Sequence, residues 1–100
     1  MVIGRFKVQA KPAHSDRLAA AIAAVEPPSR ELPGVLQFDV ARSLTDPHAF
    51  LAIEVFEDRD ALNRQNAQPE VDAMLDIIRA GALTRDLEWT VWDVPSPPGG

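Results

Sequence analysis

The stretch EVFEDRDALNRQNAQPEV, residues 54–71, begins as a strand and continues as a helix. Asp58 is a candidate N-cap, because its carboxylate can accept a hydrogen bond from an unpaired backbone N–H in the first turn of a helix. We expect that helix to run to about Asn66. Pro69 suits the first turn of a further helix, since its missing N–H would be unpaired there in any case. The stretch therefore predicts a strand followed by two short helical segments.

Further strands and a longer helix complete the pattern on either side of this stretch. Runs of apolar and β-branched residues predict strands over 2–10, 35–42, 49–57 and 86–94. Apolar residues recur at helical spacing from Leu18 to Val25, and we expect that helix to end or kink at Pro27 and Pro28. The order β-α-β-β-α-β predicts an α+β, ferredoxin-like fold, in which a four-stranded antiparallel sheet carries the helices on one face.

The composition limits the classes of function. One hundred residues form one domain, which we place at 1–94, with PSPPGG at 95–100 as a flexible tail. The net charge of −5 and the scattered basic residues argue against nucleic-acid binding. The absence of cysteine excludes disulfides and thiolate chemistry. We find no signal peptide and no apolar run of the length that spans a membrane, so we expect a cytoplasmic protein with no membrane partner.

The second face of the sheet predicts a partner. In the second strand we expect Leu36, Phe38 and Val40 to share one side, with Val35 opposite. In the third strand the residues opposite the helices are Leu51, Ile53 and Val55. Helices can cover only one of these faces, so the pattern predicts a homodimer that buries the open sheet face against a second copy. The alternative is a monomer in which Trp89 and Trp92 cap the ends of the sheet.

Several short motifs occur in the order found in one known family. They are the Pro33-Gly34 turn, the Asp46-Pro47 hairpin, the Glu-x-aromatic pair Glu54 and Phe56, the acidic Asp58, and Ala61-Leu62. In this order and spacing the chain resembles the antibiotic biosynthesis monooxygenase family over about residues 2–94. The resemblance implies a dimeric α+β barrel. It also implies an enzyme related to the quinol monooxygenases of that family, which need no cofactor.

The chain departs from the family pattern at two positions. Most members have Trp where Phe56 stands and His where Gln65 stands. The haem-degrading relatives also carry a haem-ligating His in the following helix. Neither His14 nor His48 falls in that helix, so the sequence argues against haem degradation.

Amide side chains mark a candidate site on the short helix. Gln65 and Asn66 follow Leu62 by three and four residues, so they share its inward face. A polar group that points into a domain costs free energy unless it is hydrogen-bonded. These amides therefore either line a cavity or bond the backbone at the helix end before Pro69. Asn63 is a further candidate, with an exposed surface position as its alternative.

Glu54 is the leading candidate for a general base. It shares a strand face with Phe56, and desolvation there would raise the pKa of its carboxyl. The alternative is a structural salt bridge with one of three arginines: Arg42, Arg64 or Arg85. His48 is the second candidate base, with an exposed loop position as its alternative. No spacing of His, Asp and Glu predicts a metal site.

These observations predict a cofactor-independent monooxygenase that oxidises a quinol or a polyketide-like aromatic with O₂. Gln65, Asn63 and Asn66 are candidate hydrogen-bond donors to the developing oxyanion, and Glu54 or His48 is the candidate base. The candidate walls of the aromatic-binding site are Phe6, Phe38, Phe56, Leu62 and Met74. The alternatives on the same fold are a non-catalytic small-molecule-binding or dimerisation module, or an isomerase or cyclase.

Overall fold

The computed structural model describes residues 1–95. The strands are β1 (Val2–Gln9), β2 (Val35–Arg42), β3 (Ala49–Phe56) and β4 (Glu88–Asp93). The helices are α1 (Ser15–Arg30), α2 (Arg59–Asn66) and α3 (Pro69–Ile77). A short 3₁₀ turn precedes α1, and a π-helical turn, Ile78–Ala82, follows α3. Of the predicted tail, 95–100, all but Pro95 lies outside the described residues.

The four strands form one antiparallel sheet in the order β2-β3-β1-β4. Buried and partly exposed residues alternate along β1 and β3, and the buried set faces the helices. The predicted α+β, ferredoxin-like fold with its helices on one face is therefore confirmed. No helix within residues 1–95 combines the length and apolar character needed to cross a membrane.

The predicted end of the first helix is wrong, because α1 continues through Pro27 and Pro28 to Arg30. Each proline removes one helical N–H donor, and the carbonyls that lose their donors belong to Ala23 and Ala24. Both alanines are exposed, so water can serve those carbonyls. The extra turn brings Ser29 into the interior, where it is fully buried.

The stretch that joins β3 to the short helices folds as predicted. The Asp58 side chain accepts a hydrogen bond from the Ala61 N–H at 2.9 Å, which makes it the N-cap of α2. Pro69 stands in the first turn of α3. Gly34, in the turn before β2, has φ +83°, a conformation that glycine adopts without strain.

The predicted faces of β2 are wrong at its first residues. A β-bulge shifts the register between Val35 and Gln37, so Val35 pairs with Phe56 and packs against the core. Leu36 is 54% exposed instead of sharing the buried side with Phe38. Gln37 and Asp39 then occupy the open face, which is more polar along β2 than the sequence predicts.

The interior divides into two apolar clusters. The larger lies between the sheet and helices α1 and α3. The smaller, at the end of the sheet beneath α2, consists of Val2, Phe56, Ala61 and Leu62. Glu54 lies two residues before Phe56 on β3, where the two clusters meet.

Candidate functional site

A cavity of about 290 Å³ lies between the sheet and the helices. The sheet and the residue before β4 supply Phe6, Phe38, Val40, Ala52, Leu87 and Trp89. The helices supply Ile22, Val25, Val71, Met74 and Leu75. Among the described residues, the side chains on the wall that carry a carboxyl or an amide are Glu54, Gln65 and Asn66, so the cavity is an apolar slot with polar groups from β3 and α2.

Glu54 is the only ionisable residue on this wall. It is 4% exposed, and its strand neighbours across the sheet are Gly4 and Phe38, neither of which has a polar side chain. Within residues 1–95 no group donates a hydrogen bond to its Oε1. Burial therefore raises the pKa of the Glu54 carboxyl to about 8. A carboxyl with a pKa near neutrality can take up and release a proton under ordinary conditions.

The structure excludes the predicted alternative of a salt bridge at Glu54. Arg64 donates to the Pro33 carbonyl at 2.9 Å, and Arg85 donates to Gln9 Oε1 at 3.2 Å. Arg42 lies over the ring of Phe50, at 5.2 Å from its centroid. Each arginine of the predicted set is therefore engaged elsewhere, and within residues 1–95 no cation pairs with the carboxyl of Glu54 to stabilise its charged form.

Gln65 points inward, as its position in the helix predicts, and is 2% exposed. Its Nε2 donates to Ser29 Oγ at 3.2 Å, whereas its Oε1 is buried and has no partner within residues 1–95. The amide nitrogen of Gln65, predicted to donate to a ligand, donates to Ser29 through one of its two N–H groups. The amide oxygen is the atom without a partner within residues 1–95.

The two asparagines of α2 differ in position. Asn66 lines the cavity although its surface is largely exposed. Asn63 is exposed and is not on the cavity wall, because it lies one residue beyond Leu62, about 100° around the helix. The structure therefore brings Asn66, but not Asn63, to the candidate site.

Three other predicted site residues lie outside the cavity. His48 is half-buried in the β2–β3 hairpin, about 20 Å along β3 from Glu54 at the rise of a strand. Phe56 and Leu62 belong to the smaller cluster at the end of the sheet. Phe56 is two residues beyond Glu54 on β3. Of the predicted walls, Phe6, Phe38 and Met74 do line the cavity.

Gly4 and Trp89 are site residues that sequence reasoning missed. Gly4 is the β1 neighbour of Glu54, and the indole of Trp89 lies directly over it. A Cβ at Gly4 would stand 2.6 Å from Trp89 Cη2, so only glycine leaves room for the ring. Trp89 is 39% exposed and forms a cavity wall on the β4 side. In the sequence, the signal for this close approach was a glycine within a strand whose other residues have larger side chains.

No metal centre is formed by the described part of the chain, where no three His, Asp or Glu side chains cluster. The cavity offers one carboxyl and two amides on an apolar wall. These groups suit hydrogen bonding to a small aromatic molecule.

The raised pKa of Glu54 predicts a stability that falls with pH. In the folded protein the carboxyl keeps its proton up to about pH 8, whereas in the unfolded chain it loses the proton near its ordinary pKa of 4.5. Between these values the folded state binds more protons, so the free energy of unfolding decreases as pH rises, by at most about 1.4 kcal/mol per pH unit. Urea unfolding of wild type and Glu54→Gln across this window should show the decline in wild type only. Parallel curves would contradict the assignment.

The contact between Gly4 and Trp89 predicts a coupled substitution. Gly4→Ala should destabilise the protein by about 1–3 kcal/mol, because the new methyl group displaces the indole. In a Trp89→Leu background the same change should be neutral or stabilising, since alanine is the better strand residue. Urea unfolding of the four proteins measures the coupling. Equal costs in both backgrounds would show that the ring does not occupy this position.

Comparisons with known proteins agree with this architecture. The family model described as antibiotic biosynthesis monooxygenase matches residues 1–76. A crystal structure of an antibiotic biosynthesis monooxygenase is 23% identical, with a TM-score of 0.83 over 96% of this chain and 100% of that one. A candidate monooxygenase of the same description from Deinococcus radiodurans is 24% identical, with a TM-score of 0.83 over 97% and 95% of the two chains.

A third structure, a candidate antibiotic biosynthesis monooxygenase from Nitrosomonas europaea, is 17% identical, with a TM-score of 0.84 over 94% of this chain and 98% of that one. At these identities the structural matches establish the shared fold. A comparison with curated proteins gives no match. Because the family model covers more than half of the chain and the fold agrees, the protein belongs to the antibiotic biosynthesis monooxygenase family.

Proposed function

We propose that the protein is a cofactor-independent monooxygenase that oxidises a hydroxylated aromatic, such as a quinol or a polyketide-like phenol, with O₂. The observation that carries the proposal is the Glu54 carboxyl, buried without a cation on the wall of an apolar cavity. Its raised pKa suits it to take the proton of a phenol bound beside it. The family provides the reaction class, and the cavity provides a base and a slot for the ring.

The chemistry requires little from the protein beyond these groups. Glu54 removes a phenolic proton, and the resulting phenolate is electron-rich enough to pass an electron to O₂. The two radicals combine, and loss of water leaves one oxygen atom on the ring and the other in water. The substrate supplies all the electrons, so a hydroquinone and O₂ give a hydroxyquinone and water. An apolar wall limits solvation of the phenolate, which keeps it reactive.

The remaining polar groups have roles that follow from their hydrogen bonding. Asn66 can donate to the oxygen on which charge develops, because its side chain borders the cavity. Gln65 offers its unpaired Oε1, which can accept a hydrogen bond from a hydroxyl of the substrate. Phe38 and Met74 supply apolar contact for the ring.

Oxygen consumption tests the proposal. Wild type, incubated with a panel of hydroquinones and anthrone-like aromatics without added flavin or metal, should consume O₂ faster than a protein-free blank. The protein-dependent rate should rise as pH increases through about 8, because the ionised form of Glu54 is the base. Glu54→Gln should lower that rate by about 10²–10⁴-fold.

Glu57→Gln is the matched control for this experiment, because it makes the same carboxyl-to-amide change at an exposed residue just beyond β3. It should keep the wild-type rate. A wild type that is inert across the panel, or a Glu54→Gln variant as active as wild type, would overturn the proposal. Binding of the same aromatics without O₂ uptake would favour the non-catalytic binding module.

We also propose that the protein forms a homodimer through the open face of the sheet. Leu51, Ile53 and Val55 of β3 lie on that face, as does Trp92, which is 43% exposed with the Arg5 guanidinium 5.8 Å from its ring centroid. Charged residues of both signs lie around these apolar side chains: Arg5 and Lys7 on β1, Glu88 opposite Lys7 on β4, and Asp39 on β2 beyond Ile53. A two-fold axis can bring opposite charges of two copies together on such a surface.

Sedimentation tests the dimer. Wild type should sediment as a dimer at micromolar concentration, and Ile53→Asp should sediment as a monomer, because a carboxylate would be buried at the centre of the interface. Ala23→Asp adds the same charge on the exposed side of α1 and should remain dimeric. A monomeric wild type would overturn the proposal.

A further inference from the structure

The hydroxyl of Ser29 determines which end of the Gln65 amide is left for a ligand. Ser29 is fully buried in the last turn of α1. Its Oγ lies 2.6 Å from the Val25 carbonyl oxygen, 2.9 Å from Gln68 Oε1 and 3.2 Å from Gln65 Nε2. Three polar neighbours therefore share one hydroxyl group.

The proton count at this hydroxyl fixes the orientation of the amide. A serine hydroxyl has one proton to donate and two lone pairs to accept with. The backbone carbonyl of Val25 is the nearest acceptor, at 2.6 Å, so it takes the proton. Ser29 Oγ then presents lone pairs to Gln65, whose Nε2 donates to it at 3.2 Å.

We propose that Ser29 is a positioning residue, which holds the amide nitrogen of Gln65 and leaves the amide oxygen of this cavity-lining residue without a donor. Gln65 Oε1 is buried and unpaired within residues 1–95, and so is Glu54 Oε1, on the same cavity wall. An unpaired buried acceptor costs free energy that a donor can recover. At Gln65 the cavity therefore favours aromatic ligands that carry an O–H or N–H donor over ligands of the same shape that can only accept.

The inference rests on the proposed function in treating the cavity as the aromatic-binding site, but it concerns binding and not turnover. A naphthol and its methyl ether are suitable probes, because they share a ring system and differ in whether the oxygen can donate. A cavity of roughly 150 Å³ is large enough for benzene, so the larger cavity here has room for two fused rings. Affinities are measured without O₂ at about pH 6, below the pKa of Glu54.

Wild type should bind the naphthol about fivefold or more tightly than the ether, the difference expected for one hydrogen bond. In Ser29→Ala the Gln65 amide can turn its NH₂ group toward the cavity, so the ratio of the two affinities should fall to about one or reverse. Gln68→Ala is the matched control. It removes another neighbour of the same hydroxyl but leaves the Val25 acceptor, and it should keep the wild-type ratio.

Each outcome decides the question. A wild type without a preference overturns the inference whether or not Ser29→Ala folds, and so does a folded Ser29→Ala with the wild-type ratio. If neither probe binds, both this inference and the aromatic-binding function fail. If the preference follows Ser29 but no hydroquinone drives O₂ uptake, the orientation of Gln65 stands and the monooxygenase function alone fails.

Discussion

The burial of Glu54 without a cation is the constraint on which the candidate site depends. A carboxyl taken out of water and left without a charged partner favours its neutral form, so the pKa rises, here to about 8. An apolar residue at this place in β3 would complete the core without that cost. The carboxyl instead stands on the wall of a cavity, next to a strand where Gly4 leaves room for an indole. Such a combination of a perturbed carboxyl and an apolar slot is typical of functional sites.

The path of α1 connects the fold to this site. If the helix ended at Pro27, one of the two outcomes that the sequence predicts, the turn that carries Ser29 would not lie over α2. Because the helix continues, Ser29 reaches the amide of Gln65, and the two elements meet through a hydrogen bond at 3.2 Å. A glutamine at this position cannot take up a proton as a histidine can. Within residues 1–95, the one group on the cavity wall that can take up and release a proton near neutral pH is therefore Glu54.

The parts of the fold that depend on local pattern could be predicted from the sequence. The cap at Asp58 and the inward direction of Gln65 follow from helix periodicity and end chemistry. The β-bulge before Gln37 could not be predicted from the alternation of residues. One extra residue in a strand reverses the face of the sheet to which the preceding side chains of that strand point. The packing of Trp89 on Gly4 joins the two ends of the chain, a contact that no local pattern indicates. Whether Glu54 would meet an arginine was likewise a tertiary question, so the sequence left it open.

As the proposed base, Glu54 must both receive a proton and return it to solvent. The Glu54 carboxyl is nearly inaccessible, but its neighbour across Gly4 is Trp89, whose partly exposed indole forms the wall toward the β4 edge. A displacement of that ring would admit water to the carboxyl and lower its pKa, because desolvation is the cause of the shift. Gly4 and Trp89 therefore link the shape of the cavity to the desolvation, and hence to the pKa, of the Glu54 carboxyl.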